Sequence, residues 1–442
     1  MKKSPRGDED RKKINDQISH YYLQHIKYRR NFVPQKAKVQ SSGAVFDEKE
    51  INAMVNAILD GWFGVGKYSR QFEIKFSRFL KAKETVLVNS GSSANLLAVT
   101  ALLASQKIEP GSEVITPAVT FPTTLNPIIQ NNLAPVLVDI KLETCNLNPE
   151  RLYDALSSKT KAIMLPHMFG IPNEMDAIME FAQQNNIYVI EDSCDALGST
   201  YDGKYTGTFG VLATYSFYAA HHITLGEGGA VVTNDPDLAR VVRSLRDWGR
   251  ACDCPVCKVA IDPDYNCPDR FTFETSTLPE DYDKRFVYQY IGYNLKPVEF
   301  QAAMGLEQLK KLPRFMKIRE RNYQTLHQAL EKYSDYLLFP QAPPKANPCW
   351  FSLPMIIRNE APFARKDMVG WLEEHNIETR LLLAGNITKQ PAYSEANYRV
   401  AGDLHNSNKA MSDGFFIGVY PGIGKQQLEY VIDTLNRFLQ KW

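Results

Sequence analysis

No apolar run in this chain of 442 residues approaches the roughly 18 residues that a membrane-spanning helix needs. The opening Met-Lys-Lys-Ser-Pro-Arg-Gly-Asp-Glu-Asp-Arg has no apolar signal core, so the expectation is a cytoplasmic protein without a membrane segment. An excess of one charge is also missing. The 51 Lys and Arg residues against 50 Asp and Glu leave a net charge of +1, which gives no footing for nucleic acid or an anionic membrane. Internal repeats and low-complexity segments are absent, which excludes solenoids and disordered tethers. After Gly64-Val65-Gly66 the third glycine of a dinucleotide fingerprint is missing, and no strand precedes it, so Gly61-Trp62-Phe63-Gly64-Val65-Gly66 reads only as a helix stop.

What is present describes a globular α/β protein. The apolar fraction of 44% is ordinary, and the length calls for two domains. Short apolar runs predict buried strands at 85–89, 114–117, 135–139, 162–165 and 187–190, with helical stretches between them. A Pro-rich, more polar region after 313 predicts a second, smaller α/β unit. The expected divisions are a helical arm at 1–45, a large domain at 46–312 and a C-terminal domain at 313–442. The helices expected in the latter part are 238–248, 314–333, 368–375 and 427–442.

Several candidate residues stand at the ends of these elements. Ser90-Gly91-Ser92-Ser93-Ala94-Asn95 opens an apolar helix, and reads as either a plain N-cap or an anion site. Ile187-Tyr188-Val189-Ile190 runs into Glu191-Asp192-Ser193-Cys194-Asp195. That places carboxylates at the carboxyl end of a buried strand, where open parallel sheets bind ligands. Phe121 by itself reads as a core aromatic. Four of the seven cysteines, Cys252, Cys254, Cys257 and Cys267, fall in one short stretch. In a cytosolic protein such a group indicates a metal or redox site before a disulfide set.

Ser216-Phe217-Tyr218-Ala219-Ala220-His221-His222-Ile223-Thr224-Leu225-Gly226-Glu227-Gly228-Gly229 ties these together. It resembles the cofactor-lysine segment of the DegT/DnrJ/EryC1/StrS family of sugar aminotransferases, which use pyridoxal phosphate. At the lysine position of that segment stands His221. No lysine occurs between Lys204 and Lys258, so no shift of alignment restores one. Without the amine the chain cannot hold the cofactor as a Schiff base, whereas an imidazole can still move protons near neutral pH. This replacement makes the chain similar to the pyridoxamine phosphate (PMP)-dependent sugar dehydrases of the family.

The resemblance covers about positions 50–440 and implies the fold-type I aminotransferase architecture: a large, mostly parallel seven-stranded sheet domain plus a smaller α/β domain. It implies His221 as catalytic base and Asp192 as the carboxylate at the cofactor's pyridine nitrogen. Gly91, Ser92, Ser93, Phe121, Asp195, Ser216 and Tyr218 complete the implied PMP site. Asn294, in Gly292-Tyr293-Asn294, reaches the phosphate held by a neighbouring subunit, so a homodimer is expected. Asp195 stands where aminotransferases have Gln or His, and Phe351 where they have His. His222 is expected to be a packing residue.

One dehydrase subtype also carries a [2Fe–2S] cluster. Its pattern is a cysteine beside the cofactor aspartate, fifty-seven residues, Cys-x-Cys, and a further cysteine. Fifty-seven residues separate Cys194 from Cys252, and Cys254 follows. The implied ligands are therefore Cys194, Cys252, Cys254 and Cys267. Cys257 remains an alternative fourth ligand, and a structural zinc an alternative metal. The implied activity is C-3 dehydration of a nucleotide-4-keto-6-deoxyhexose, with CDP-4-keto-6-deoxy-D-glucose expected, in making 3,6-dideoxyhexoses for lipopolysaccharide O-antigen. An iron–sulfur flavoprotein reductase would be the partner. A dehydrase recharged by glutamate, an unusual aminotransferase, and a non-catalytic cofactor or zinc scaffold stay open beside it.

Overall fold

Seven strands between positions 84 and 233 are buried along nearly their whole length, which is what a sheet covered by helices on both faces requires. The computed structural model describes residues 5–27, 32–252, 254–262 and 264–442. The strands are β1 (Glu84–Val88), β2 (Glu113–Pro117), β3 (Ala134–Val138), β4 (Thr160–Pro166), β5 (Tyr188–Asp192), β6 (Leu212–Ser216) and β7 (Gly229–Thr233). Their spatial order is β1-β7-β6-β5-β4-β2-β3, and from β6 through β3 neighbours run parallel. β7 runs antiparallel to both of its neighbours, β1 and β6.

The large sheet has eight strands where seven were expected. The extra one is the two-residue Arg399–Val400, which pairs in parallel with β3. A segment this short has no periodicity to read. It is fixed by main-chain pairing and by Arg399, which donates to Glu113 at 2.7 Å and to the Ala155 carbonyl at 2.7 Å.

A second core lies in the C-terminal part, around Leu326, Leu330, Leu353, Met355, Leu372, Phe415 and Leu435. It covers a four-stranded antiparallel sheet whose longest members are Ser352–Ile357 and Gly414–Gly418. The helices predicted here shift to Arg365–Glu374 and Lys425–Leu439. The helix expected at 314–333 is longer: it is one helix, Glu299–Leu330, which runs across position 313 with Pro313 inside it. Proline in a helix interior normally breaks it, yet here the helix continues through it.

Glu299 at the start of this helix is buried and accepts from the amides of Gly66, Tyr68 and Ser69 at 2.8–2.9 Å. It thereby clamps the 61–66 loop and caps the next helix, Lys67–Leu80. The N-terminal helix Pro5–Tyr21 packs on Glu48–Leu59, with Arg11 2.9 Å from Asp60 and Tyr22 Oη donating to the Phe46 carbonyl at 2.9 Å. Among the described residues, no helix is long and apolar enough to cross a membrane.

Candidate active site

Parallel strands end on one edge of the sheet, and a cavity of about 1360 Å³ opens there. Its lining includes Gly91, Ser92, Phe121, Asp192, Cys194, Asp195, Ser216, Tyr218 and His221, so most of the residues singled out in the sequence share one space. Asp192 closes β5 and Ser216 closes the adjacent β6, which makes them neighbours by topology. Phe121 and Tyr218 are about half exposed, at 51% and 50%, and that exposure is to the cavity they line. Phe121 therefore is not the core aromatic it resembles when read alone.

The turn after β6 is held close to the helix Gly91–Ala104. A Cβ at Gly91 would stand 2.5 Å from the Ser216 Cβ, and one at Gly229 would run into the Ser90 carbonyl. Glycine at both positions is a requirement of contact. Ser90 caps the helix by accepting from the Ser93 amide at 3.1 Å. Its hydroxyl also meets the Ser93 hydroxyl at 3.0 Å. Ser93 is not part of the cavity wall, while Gly91 and Ser92 are.

Asp192 is buried and its carboxylate is held from three sides. Oδ2 accepts from Asn95 Nδ2 at 2.9 Å and from Thr124 Oγ1 at 2.8 Å, and Oδ1 accepts from the Cys194 amide at 3.2 Å. Asn95 is fixed in turn by Thr214, which donates to its Oδ1 at 2.5 Å. The sequence reading missed Asn95, Thr124 and Thr214 as site residues. The available signal was a polar Asn inside the apolar run Ala94–Leu103. Asn95→Ala is expected to weaken PMP binding about tenfold, since a buried carboxylate and a buried hydroxyl each lose a partner. Titration of the apo-protein with PMP, followed by fluorescence, measures it.

His221 lines the cavity with its ring 5.5 Å from that of Phe351, and its Nδ1 is 3.4 Å from Asp195 Oδ1, without hydrogen-bond alignment. Burial lowers its pKa to about 4, so the imidazole is neutral at neutral pH. Asp195 is pushed the other way, to about 7, by burial and then by the Asp192 charge. His222 points away from this chemistry. It is buried, and its Nε2 sits 2.8 Å from the Cys349 carbonyl, to which it donates as a neutral ring. Burial drives its pKa well below the ordinary value.

The chemistry of the cavity fits PMP. A held carboxylate, an aromatic at the wall, small residues at a helix N-terminus and a neutral imidazole are the groups a phosphorylated pyridine with an amine arm requires. Asn294 is exposed and does not line this cavity.

The cysteines do not match in the same way. Among the described residues, no three or more His, Cys, Asp or Glu side chains are gathered closely enough to hold a metal. Cys194 sits in the cavity wall, its thiol pKa raised well above the ordinary value by burial and then by Asp192. Cys254 is exposed, and Cys252, Cys257 and Cys267 are half-buried around the short helix Lys258–Ile261.

The sequence pattern of the DegT/DnrJ/EryC1/StrS aminotransferase family matches residues 45–436. The chain is 45% identical over 416 residues to the dTDP-4-dehydro-2,6-dideoxy-D-glucose 3-dehydratase of Saccharopolyspora spinosa, across 93% of this chain and 88% of that one. It is 42% identical over 412 residues to the lipopolysaccharide biosynthesis protein RfbH of Salmonella typhimurium, across 92% and 93%. The solved structure of the E. coli GDP-4-keto-6-deoxy-D-mannose-3-dehydratase with bound hydrated PLP matches with a TM-score of 0.81 at 30% identity, over 90% of this chain and 99% of that one.

Proposed function

Because the chain belongs to the DegT/DnrJ/EryC1/StrS aminotransferase family, we propose that it is a PMP-dependent 3-dehydratase of a nucleotide-4-keto-6-deoxyhexose, with His221 as its base. The observation that carries this reading is His221 in the cofactor cavity, in a stretch without a lysine from 205 to 257. PMP, when bound, supplies the amine that condenses with the C4 ketone of the sugar and a ring that takes up negative charge. Asp192, held by Asn95, Thr124 and the Cys194 amide, keeps the proton on the pyridine nitrogen. His221, neutral, takes the proton from the C4′ carbon, and the ionised form of Asp195, 3.4 Å from its Nδ1, stabilises the imidazolium so formed. The C3 hydroxyl then leaves as water, taking up the proton held on His221.

CDP-4-keto-6-deoxy-D-glucose is the first substrate we assign, from the resemblance to the cluster-bearing subtype. The dTDP- and GDP-linked 4-keto sugars named for the relatives complete the assay panel. The cluster, its cysteine ligands and a flavoprotein reductase belong to the same proposal, and the cysteine spacing alone supports them. A second reading is favoured by the ungathered cysteines: a dehydratase without a cluster that recharges its PMP from glutamate. Anaerobic purification with iron, sulfide and zinc analysis, together with an assay for 2-oxoglutarate formed from glutamate, decides between the two. Iron and sulfide in equal amounts support the cluster. Their absence with 2-oxoglutarate formation supports the glutamate route, and stoichiometric zinc without activity overturns both.

The homodimer is part of the proposal, with Asn294 acting on the partner's phosphate site. Asn294→Ala chains mixed with His221→Asn chains are expected to regain roughly a quarter to a half of the wild-type rate, as hybrid dimers with one intact site should. No gain in verified hybrids counts against shared sites.

A further inference from the structure

Among the described residues, Arg319 is the largest side chain that is fully buried, with 1% of its surface exposed. Burying a guanidinium is expensive unless it is paired. Among the described residues, however, no carboxylate lies within ion-pair distance of it. Its bonds go to main-chain carbonyls: Nη1 donates to Trp350 O at 3.2 Å and to Phe351 O at 3.0 Å, and Nη2 donates to His221 O at 3.3 Å. A residue that only filled space at this point of the helix Glu299–Leu330 could be apolar and avoid the desolvation. The three carbonyls explain why a cation stands there. They belong to the residue read here as the base, to the ring it packs against (Phe351, 5.5 Å between centroids), and to the residue before that ring. Sequence reading had placed Arg319 only in a long polar helix.

We propose that Arg319 is the positioning residue of the site: it ties the His221 turn to the Trp350–Phe351 strand entry and sets the place of the imidazole over the cofactor cavity. It touches neither cofactor nor substrate, since it does not line the large cavity. It lies behind His221 and His222, in the wall of a separate small chamber. Reactions that depend on a placed group lose about 10²-fold for misplacements near 1 Å. The effect of losing Arg319 therefore falls on the proton transfer and not on PMP affinity. The inference rests on the reading of His221 as base.

The test compares wild type, Arg319→Met, Arg319→Lys, His221→Asn and Leu330→Ala, the last a core change on the same helix away from the site. Two readouts are taken. One is amide hydrogen exchange of the apo-protein in peptides covering 217–225 and 350–357. The other is kcat, KM and PMP affinity with a nucleotide-4-keto sugar. Arg319→Met is expected to speed exchange in those two peptides tenfold or more, to lower kcat about 10²-fold, and to leave PMP affinity within threefold. Arg319→Lys, which keeps the charge but reaches fewer carbonyls, is expected to fall between it and wild type, and carries the test if the Met variant does not fold. The inference is overturned if the Arg319 variants match Leu330→Ala in both readouts, or if PMP affinity falls in step with kcat. If wild type and His221→Asn turn over alike, the reading of the base fails, and the exchange data still report on Arg319.

Discussion

His221→Asn is expected to fold, bind PMP and lose C3 dehydration by about 10²–10⁴-fold, the span for removal of a general base. The contacts proposed for the cofactor come from Ser92, Phe121, Asp192 and Ser216, none of which depends on the imidazole. The variant also separates the two adjacent histidines. His222 gives its Nε2 hydrogen to the Cys349 carbonyl and does not line the cofactor cavity, so His222→Gln is expected to cost stability while retaining much of the turnover. Rates with a 4-keto nucleotide sugar and exchange of the C4′ proton with solvent, followed by NMR, check both. A dead 222 variant beside a 221 variant that exchanges normally would mean that the wrong histidine has been assigned. His221→Lys changes the cofactor chemistry open to the site. It restores an amine at the position where the family's aminotransferases carry one, so borohydride treatment with PLP is expected to fix a pyridoxyl group in the 216–229 peptide, which wild type cannot do.

The second large effect is expected at Asp192. Asp192→Asn keeps an oxygen for Thr124 and Asn95 but sets an amide nitrogen against the Cys194 N–H, where Oδ1 now accepts at 3.2 Å. One hydrogen bond is lost, so stability is expected to fall by about 1 kcal/mol. The catalytic loss is larger, about 10²–10³-fold, because the charge opposite the pyridine nitrogen disappears and the ring becomes a poorer electron sink. Urea unfolding and C4′ proton exchange measured on one preparation distinguish the two effects. Equal loss in both would make Asp192 a structural residue only.

Five strands of the large sheet were legible because they are buried on both faces and read as apolar runs, whereas Leu212–Ser216, broken by Thr214 and Ser216, and Gly229–Thr233, which opens in glycine, were not. Element ends were less so, because caps decide them. The helix expected at 238–248 is Pro236–Arg246. Asp235 caps it by accepting from Asp237 N and Leu238 N, and Trp248 lies beyond it in the left-handed region with φ of 61°. Asp192, Ser216 and His221 were brought together by the family resemblance, and the structure sets Asp192 and Ser216 at the ends of adjacent parallel strands, with the His221 turn following Ser216. Asn95, Thr124 and Arg319 could not, since they meet their partners across 97, 68 and 98 residues of chain, and nothing local marks such a pairing. The cysteine spacing was equally visible, yet spacing sets no distance between a cavity wall at Cys194 and a loop at 252–267.

The central claim is that the site removes the C3 hydroxyl of a 4-keto sugar and does not aminate its ketone. A single turnover with one equivalent of PMP and a nucleotide-4-keto-6-deoxyhexose, started from sugar labelled with heavy oxygen at C3 and read by mass spectrometry, tests it most directly. The account expects the label to leave the sugar for water in wild type and to stay in His221→Asn. A 4-amino sugar that keeps its C3 oxygen, formed by wild type in stoichiometric yield, would contradict it.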